Sequence, residues 1–282
     1  SATASSVEGS ISRGRVAGTV RLGNNAGLWT SVSGAYSPGR NFEFSELAGP
    51  GFDGFSSGAD GFRALTVQGR GWWRDVSAQW LLNTRVKSFP FGLGGTSFSE
   101  PNTYNSDTRG LFELRYDPRL GSRAQLFSRV VFNHYSFIGT TVADPDMDGL
   151  RASTREEFIG NWLVAEARVA VTPAPWLRLM AGVEGQVHFT VNQRGEAGAS
   201  GCTMMNSSAC LPELYLPPRP ANLPTTTRYY STGTYDRHPF QIVAGYLLAD
   251  LAFSPRVRLS AGVRQDVYLF AERTLFATSP RV

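Results

Sequence analysis

The stretch Pro175 to Asn192, PWLRLMAGVEGQVHFTVN, decides how the chain folds. Leu177, Leu179, Ala181, Val183, Val187, Phe189 and Val191 fall on one parity, with Gly185 the single gap, while Arg178, Met180, Glu184, Gln186, His188 and Thr190 fall on the other. A period of two sends successive side chains to opposite faces of an extended chain, so this is a strand with one apolar and one polar face. Upstream, Asn161–Thr172 does the same: Leu163, Ala165, Ala167, Val169 and Val171 oppose Glu166 and Arg168. Downstream, Val257, Leu259, Ala261, Val263 and Val267 oppose Arg256, Arg258, Arg264 and Asp266.

A soluble β-sandwich alternates too, with its core aromatics in the interior, so three further features are needed to place the apolar face in lipid. Several segments keep the alternation far beyond the roughly 5–6 residues of a globular strand, reaching the ~9–11 that a tilted strand needs to cross a bilayer. Connections of two kinds take turns. Short ones sit at Trp72–Asp75, Asp117–Gly121, Thr172–Pro175 and Phe253–Pro255; long ones run over Ser37–Gly61, Ser88–Asp107, Gly139–Phe158 and Gln193–Pro239. Short turns at one end and long loops at the other characterise outer-membrane barrels. Finally, Trp72, Trp73, Tyr116, Trp176 and Phe253 lie beside the short turns, and Tyr36, Phe89, Phe132, Phe137, Phe189, Tyr268 and Phe270 toward the long loops, as two interfacial girdles.

Composition agrees. The chain has 282 residues, 18% charged and 41% hydrophobic, with 18 Phe, 10 Tyr and 6 Trp. That is too rich in apolar rings for a disordered polyelectrolyte, and its apolar runs are far too short for a membrane helix. A net charge of +4 from 27 basic and 23 acidic residues is too mild to indicate nucleic acid. Three His and two Cys leave little stock for a multi-metal site.

The pattern predicts an all-β fold: an antiparallel transmembrane β-barrel with about eleven strands near 4–12, 15–22, 27–37, 62–72, 75–87, 108–117, 122–136, 159–172, 175–191, 240–253 and 255–270. Gln68, Arg70, Gln79, Asn83, Arg85, Glu113, Arg115, Gln125, Arg129 and Asn133 would line its wet interior. Bacterial single-chain barrels normally have an even strand number. SATASSVEG carries no signal sequence and ATSPRV opens a twelfth strand. Residues 1–282 are therefore expected to be a partial barrel domain, an internal piece of a longer protein.

These segments resemble the TonB-dependent outer-membrane receptors. Val7 to Phe42 is similar to the first three strands of that family's barrel, and Arg63–Gly92 and Thr108–Phe137 to its next hairpins. Tyr246–Tyr268, YLLADLAFSPRVRLSAGVRQDVY, resembles its recurring hairpin, a strand and short turn followed by an L-x-x-G-x-R-x-D strand. The resemblance implies the first half of a 22-stranded incomplete barrel, with a plug domain and C-terminal strands outside this chain. It also implies location in the bacterial outer membrane and import of a scarce small ligand, iron–siderophore-like or corrinoid-like. Its partners would be outer-membrane lipids, the ligand, and the energy-coupling TonB system acting through the plug. A complete, passive porin-like barrel of about 12 strands is the alternative, and an outer-membrane barrel hydrolase the second.

Chemistry-bearing residues are sparse. Cys202 and Cys210, in CTMMNSSAC of the longest loop, are read as a disulfide suited to an oxidising exterior; two free thiols or a metal pair are the alternatives. Asp144, Asp146 and Asp148 match the start of a calcium loop, D-x-D-x-D-G, but its twelfth position is Arg155 where a bidentate Glu is needed, so a solvated acidic turn competes with calcium. Tyr104, Arg228, Tyr229, Tyr230, Tyr235 and Arg237 are loop candidates for gripping an anionic or catecholate ligand; loop packing explains them equally well. His134, His188 and His238 are widely separated and no motif ties any to a nucleophile, so no enzyme and no cofactor are expected. Leu211–Pro224 reads as a stiff, Pro-rich loop segment, and FGLGGTS at Phe91–Ser97 as a flexible loop, since no helix follows it.

Overall fold

A computed structural model describes residues 2–7, 11–48, 54–89, 102–142, 151–200, 229–254 and 256–281. Its strands are β1 (Ala2–Val7), β2 (Ile11–Arg21), β3 (Ala26–Ser37), β4 (Arg40–Glu43), β5 (Phe55–Ala59), β6 (Phe62–Trp73), β7 (Val76–Ser88), β8 (Tyr104–Tyr116) and β9 (Arg119–Leu120). The remainder are β10 (Ala124–Val142), β11 (Arg151–Ala174), β12 (Leu177–Ser200), β13 (Tyr229–Arg237), β14 (Phe240–Ser254), β15 (Val257–Leu269) and β16 (Thr274–Arg281). Twelve of them form one antiparallel up-and-down sheet in chain order, β1-β2-β3-β6-β7-β8-β10-β11-β12-β14-β15-β16. Strand β9 pairs with β10 and β13 with β12, while β4 and β5 make a small sheet of their own. Among the described residues the sheet does not close on itself, since β1 pairs with β2 and β16 with β15. It is an incomplete β-barrel.

Burial is inverted relative to a soluble domain. Only four described hydrophobic residues are buried, Phe127, Val131, Val142 and Ala244, whereas Glu166, Asp266 and Asn133 are each 8% exposed. The apolar parity of every long strand stands in the open, with Val183 at 62% and Leu247 at 61%. Directly paired residues share a face, and the register carries each stripe across the sheet: Val183 pairs with Ala167 and Gly245, and Glu184 with Glu166 and Ala244. The polar face is thus the sheltered, concave one and the apolar face the exposed one, as in a wall with lipid outside and water inside.

Trp73, Tyr116, Trp176 and Phe253 are exposed at the short-turn end, and the outward Phe132 and Phe189 rings stack 6.4 Å apart toward the other end. Trp72 departs from the expected girdle. Its neighbour Trp73 takes the outward parity, so Trp72 faces inward and its ring covers Gly27, where a Cβ would lie 2.2 Å from the indole. Tyr268 and Phe270 face inward as well, because Phe270 packs against Phe240, the register partner of His188.

Neighbouring short turns are stitched together by backbone hydrogen bonds, Arg74 N–H to Asn25 O at 2.8 Å and Asp117 N–H to Asp75 O at 2.9 Å among them. One of the two-residue turns has Arg74 and Asp75 between the paired Trp73 and Val76, and Arg74 sits at φ 53°. Such two-residue hairpins favour Asn or Gly there, whereas this arginine carries the Cβ strain with its guanidinium 5.3 Å above the Trp73 ring. Replacing Arg74 by Asn is expected to stabilise the fold by roughly 0.5 kcal/mol, strain relief outweighing the lost cation–π contact. A urea titration in detergent checks the sign.

The structure corrects several expected boundaries. The first reversal falls between Val7 and Ile11, not near Arg13–Gly14, which lies within β2. The strand begun at ATSPRV is a full twelfth one, β16. Strands β10, β11 and β12 run to 19, 24 and 24 residues, well past their expected ends.

Candidate functional site: the charged inner wall

The polar parity of seven strands converges on one network. Gln79 of β7 donates to Glu113 of β8 (3.0 Å), whose other oxygen lies 3.5 Å from Arg129 of β10. Arg129 Nε donates to Glu166 of β11 at 2.8 Å. Glu166 also accepts from the Tyr246 hydroxyl of β14 at 2.6 Å and has Arg168 at 3.8 Å. Beyond it, Arg264 of β15 holds Glu184 of β12 at 3.1 Å and Asp266 at 2.8 Å, and Gln186 donates to Glu184 at 2.9 Å.

Register explains the arrangement. Glu166 and Glu184 stand directly opposite on adjacent strands, as do Arg115 and Arg129. Like charges so placed destabilise a sheet unless each finds a counter-ion. The two carboxylates turn to different arginines, one on either side. Gly182 makes the longest link fit. It pairs with Tyr246, whose ring lies across it to reach Glu166 two strands away; a Cβ at 182 would stand 2.3 Å from Tyr246 Cζ. The Phe127 ring is flanked by two guanidiniums, Arg168 Cζ at 4.0 Å and Arg115 Cζ at 4.7 Å from its centroid. Together these groups border an open hollow of about 560 Å³.

Above the network lies an inward aromatic row. His188 stacks between Trp162, 5.5 Å away at 9°, and Phe240, 4.0 Å away at 11°, and Phe270 continues the row. Below the network, at the β8–β10 turn, Asp117 is held by Arg115 and by Gln125 at 2.7 Å. Burial raises the Asp117 carboxyl, but the hydrogen bonds from Arg115 and Gln125 outweigh it and hold the group below the usual carboxylate range.

The inner-wall positions expected from parity take the roles they imply: Asn83 donates to Thr66 at 2.7 Å and Arg85 to Asp107 at 3.0 Å. The loop candidates are not gathered into one site. Tyr104 lies on the outward parity, bordering a cleft of about 540 Å³ with Tyr36, Arg63 and Ile138. Tyr229, Tyr230, Tyr235 and Arg237 belong to β13, with β10, β11 and β12 between them and β8, and Arg237 is exposed. Arg228, Cys202, Cys210, Asp144, Asp146 and Asp148 lie outside the described residues.

Sequence reasoning placed Glu166, Arg168, Glu184, Arg264 and Asp266 on the polar parity without recognising them as a connected cluster. Tyr246 was missed, and the signal was available in the combination of Gly182 with an aromatic on the neighbouring strand. The described histidine side-chain hydrogen bonds go to amides, His134 Nδ1–H to Asn161 at 2.7 Å and His188 to Gln186 at 3.3 Å.

No protein-family model matches the chain, and no curated protein matches it. Among solved structures, the copper transporter OprC superposes with a TM-score of 0.56 at 12% identity, over 96% of this chain and 39% of that one. The chain thus spans well under half the length of that protein, and the likeness is one of fold. An antiparallel wall with an apolar exterior and a charged interior fits the bacterial outer membrane.

Proposed function

We propose that the chain forms part of the barrel wall of a TonB-dependent-type receptor that imports a scarce small ligand, iron–siderophore-like or corrinoid-like. A plug and further strands outside residues 1–282 would complete the protein, and the TonB system would drive it through the plug. The observation carrying this reading is the open twelve-stranded sheet, apolar outside and charged inside, that superposes on part of a transporter barrel. Two free edges suit a piece of a larger barrel better than a complete small porin, because an unpaired edge leaves a row of backbone groups unsatisfied in lipid. Loop residues Tyr104, Tyr229, Tyr230, Tyr235, Arg228 and Arg237 remain candidates for first contact with the ligand, and the Cys202–Cys210 disulfide for restraining the longest loop.

Deleting the encoding gene and following uptake of a ferric siderophore, a corrinoid and copper, each with and without a protonophore, tests the reading. Loss of ferric-siderophore or corrinoid uptake that is itself protonophore-sensitive is the expected result. Loss of copper uptake alone would refute the proposed ligand class. Protonophore-insensitive loss would indicate the passive barrel, and unchanged uptake of all three would refute a transport role for these solutes.

A further inference from the structure

The sequence holds twenty-six arginines and one lysine, and they are unevenly placed. Within four residues of the five turns that join β2 to β3, β6 to β7, β8 to β10, β11 to β12 and β14 to β15 stand nine arginines against three carboxylates, Asp75, Glu113 and Asp117, with Asp250 one residue further along β14; the remainder of the chain has eighteen basic and twenty acidic residues. The short-turn end therefore carries more than the whole net charge of +4.

Six of the nine share the inward face; Arg115 is paired with Asp117, and the other five are Arg21, Arg70, Arg119, Arg178 and Arg258. Arg21 pairs with Gly27 beneath the Trp72 ring, Arg70 with Gln79, Arg119 with Gln125 and Arg178 with Asp250. Arg258 lies two residues before Ser260, which donates to Asp250. All five are exposed, and among the described residues none has a side-chain hydrogen bond or an ion pair. The carboxylates on this face near them are already engaged: Glu113 by Gln79 and Arg129, Asp117 by Arg115 and Gln125, Asp250 by Ser260.

Further up the wall the arginines of the central network, Arg129, Arg168 and Arg264, each have a counter-ion, whereas the short-turn mouth gathers five that have none among the described residues. Unpaired cations around a concave, low-dielectric wall repel one another and focus a field that concentrates anions. The arginine fork matches carboxylate and phosphate oxygens two at a time. We infer that this collar binds anionic solutes bearing carboxylate or phosphate groups as they leave the lumen, so that the imported ligand is itself an anion. The inference rests on reading the polar face as a lumenal wall.

Isothermal titration of pyrophosphate and of tricarballylate into the full chain in a neutral maltoside detergent tests it. Saturable binding is expected, weakening about tenfold between low and moderately high salt as the charges are screened. The triple variant R70Q/R178Q/R258Q should lose about tenfold in affinity, and the corresponding triple lysine variant should recover most of it, because lysine retains the charge but not the fork. Circular dichroism confirms that both variants keep their strands. Absence of binding, equal binding by the glutamine variant, or binding of a deca-glutamate peptide alone would overturn the inference, the last indicating a protein-docking surface. Failure of the transport reading would show separately, as unchanged uptake after gene deletion while the small anions still bind.

Discussion

Replacing Val183 by arginine is expected to cost about 2–4 kcal/mol of folding stability in a phospholipid bilayer, the penalty for a cation at the midplane of a barrel's lipid face. Val183 is 62% exposed and lies midway along the outward stripe of β12, between the lower aromatic Trp176 and the upper aromatic Phe189. In a water-soluble sheet an exposed valine of this kind could be replaced at a cost within about 0.5 kcal/mol. The two environments therefore separate widely. Urea unfolding of the variant and the parent chain in vesicles measures the difference, and a change below about 1 kcal/mol would contradict a lipid-facing position.

The second large effect belongs to the inner wall. Glu166 is 8% exposed and accepts from Arg129 and Tyr246 while facing Arg168. Changing Glu166 to Ala leaves two guanidiniums and a phenol without their shared acceptor. Fully buried pairs broken in this way cost several kcal/mol, but both arginines here are about one-third exposed and water partly replaces the carboxylate. The expected loss is about 2–3 kcal/mol. Glu166→Gln, which keeps an acceptor oxygen for Tyr246, should lose less. Unfolding midpoints of both variants decide the point, and equal, negligible shifts would mean that the network contributes nothing to holding β10, β11 and β14 together.

The faces of the wall were legible in the sequence because lipid and water impose opposite demands on alternate residues. Pro175–Asn192 and Val257–Val267 carry that contrast with one gap each on the apolar parity, Gly185 and Gln265. Strand ends were not legible, because the demand disappears above the membrane. The outward parity of β11 reads Leu163, Ala165, Ala167 and Val169 within the apolar belt, then Asn161, Ile159, Glu157 and Arg155 beyond it, where Ile159 is the one apolar residue. His134 and Asn161 mark the change, hydrogen-bonded to each other in register. Above them β11 and β12 continue on backbone pairing and charged cross-strand neighbours such as Glu157 opposite Arg194, so no binary pattern remains to report the strand.

Short elements were hidden for a related reason: β4 (RNFE) and β5 (FSSGA) carry no β-branched residue, and β13 (YYSTGTYDR) has strand-forming Tyr and Thr but no alternating apolar face. The inner network was half visible. Its charges were on the correct parity, but which carboxylate meets which arginine depends on register across seven strands, and register is set by turn lengths that the sequence disclosed only approximately. The bulge between Asn161 and Trp162 shifts that register within a single hairpin.

Nitroxide accessibility along β12 tests the orientation of the wall most directly. In a background with Cys202 and Cys210 replaced by serine, single cysteines at positions 179 to 186 would carry the label in reconstituted bilayers. Oxygen, which partitions into lipid, should reach Leu179, Ala181, Val183 and Gly185 best. A water-soluble nickel chelate should reach Met180, Gly182, Glu184 and Gln186, giving two profiles of period two in opposite phase. Profiles in phase, or a chelate maximum at the odd positions, would contradict a lipid-facing exterior and a wet interior.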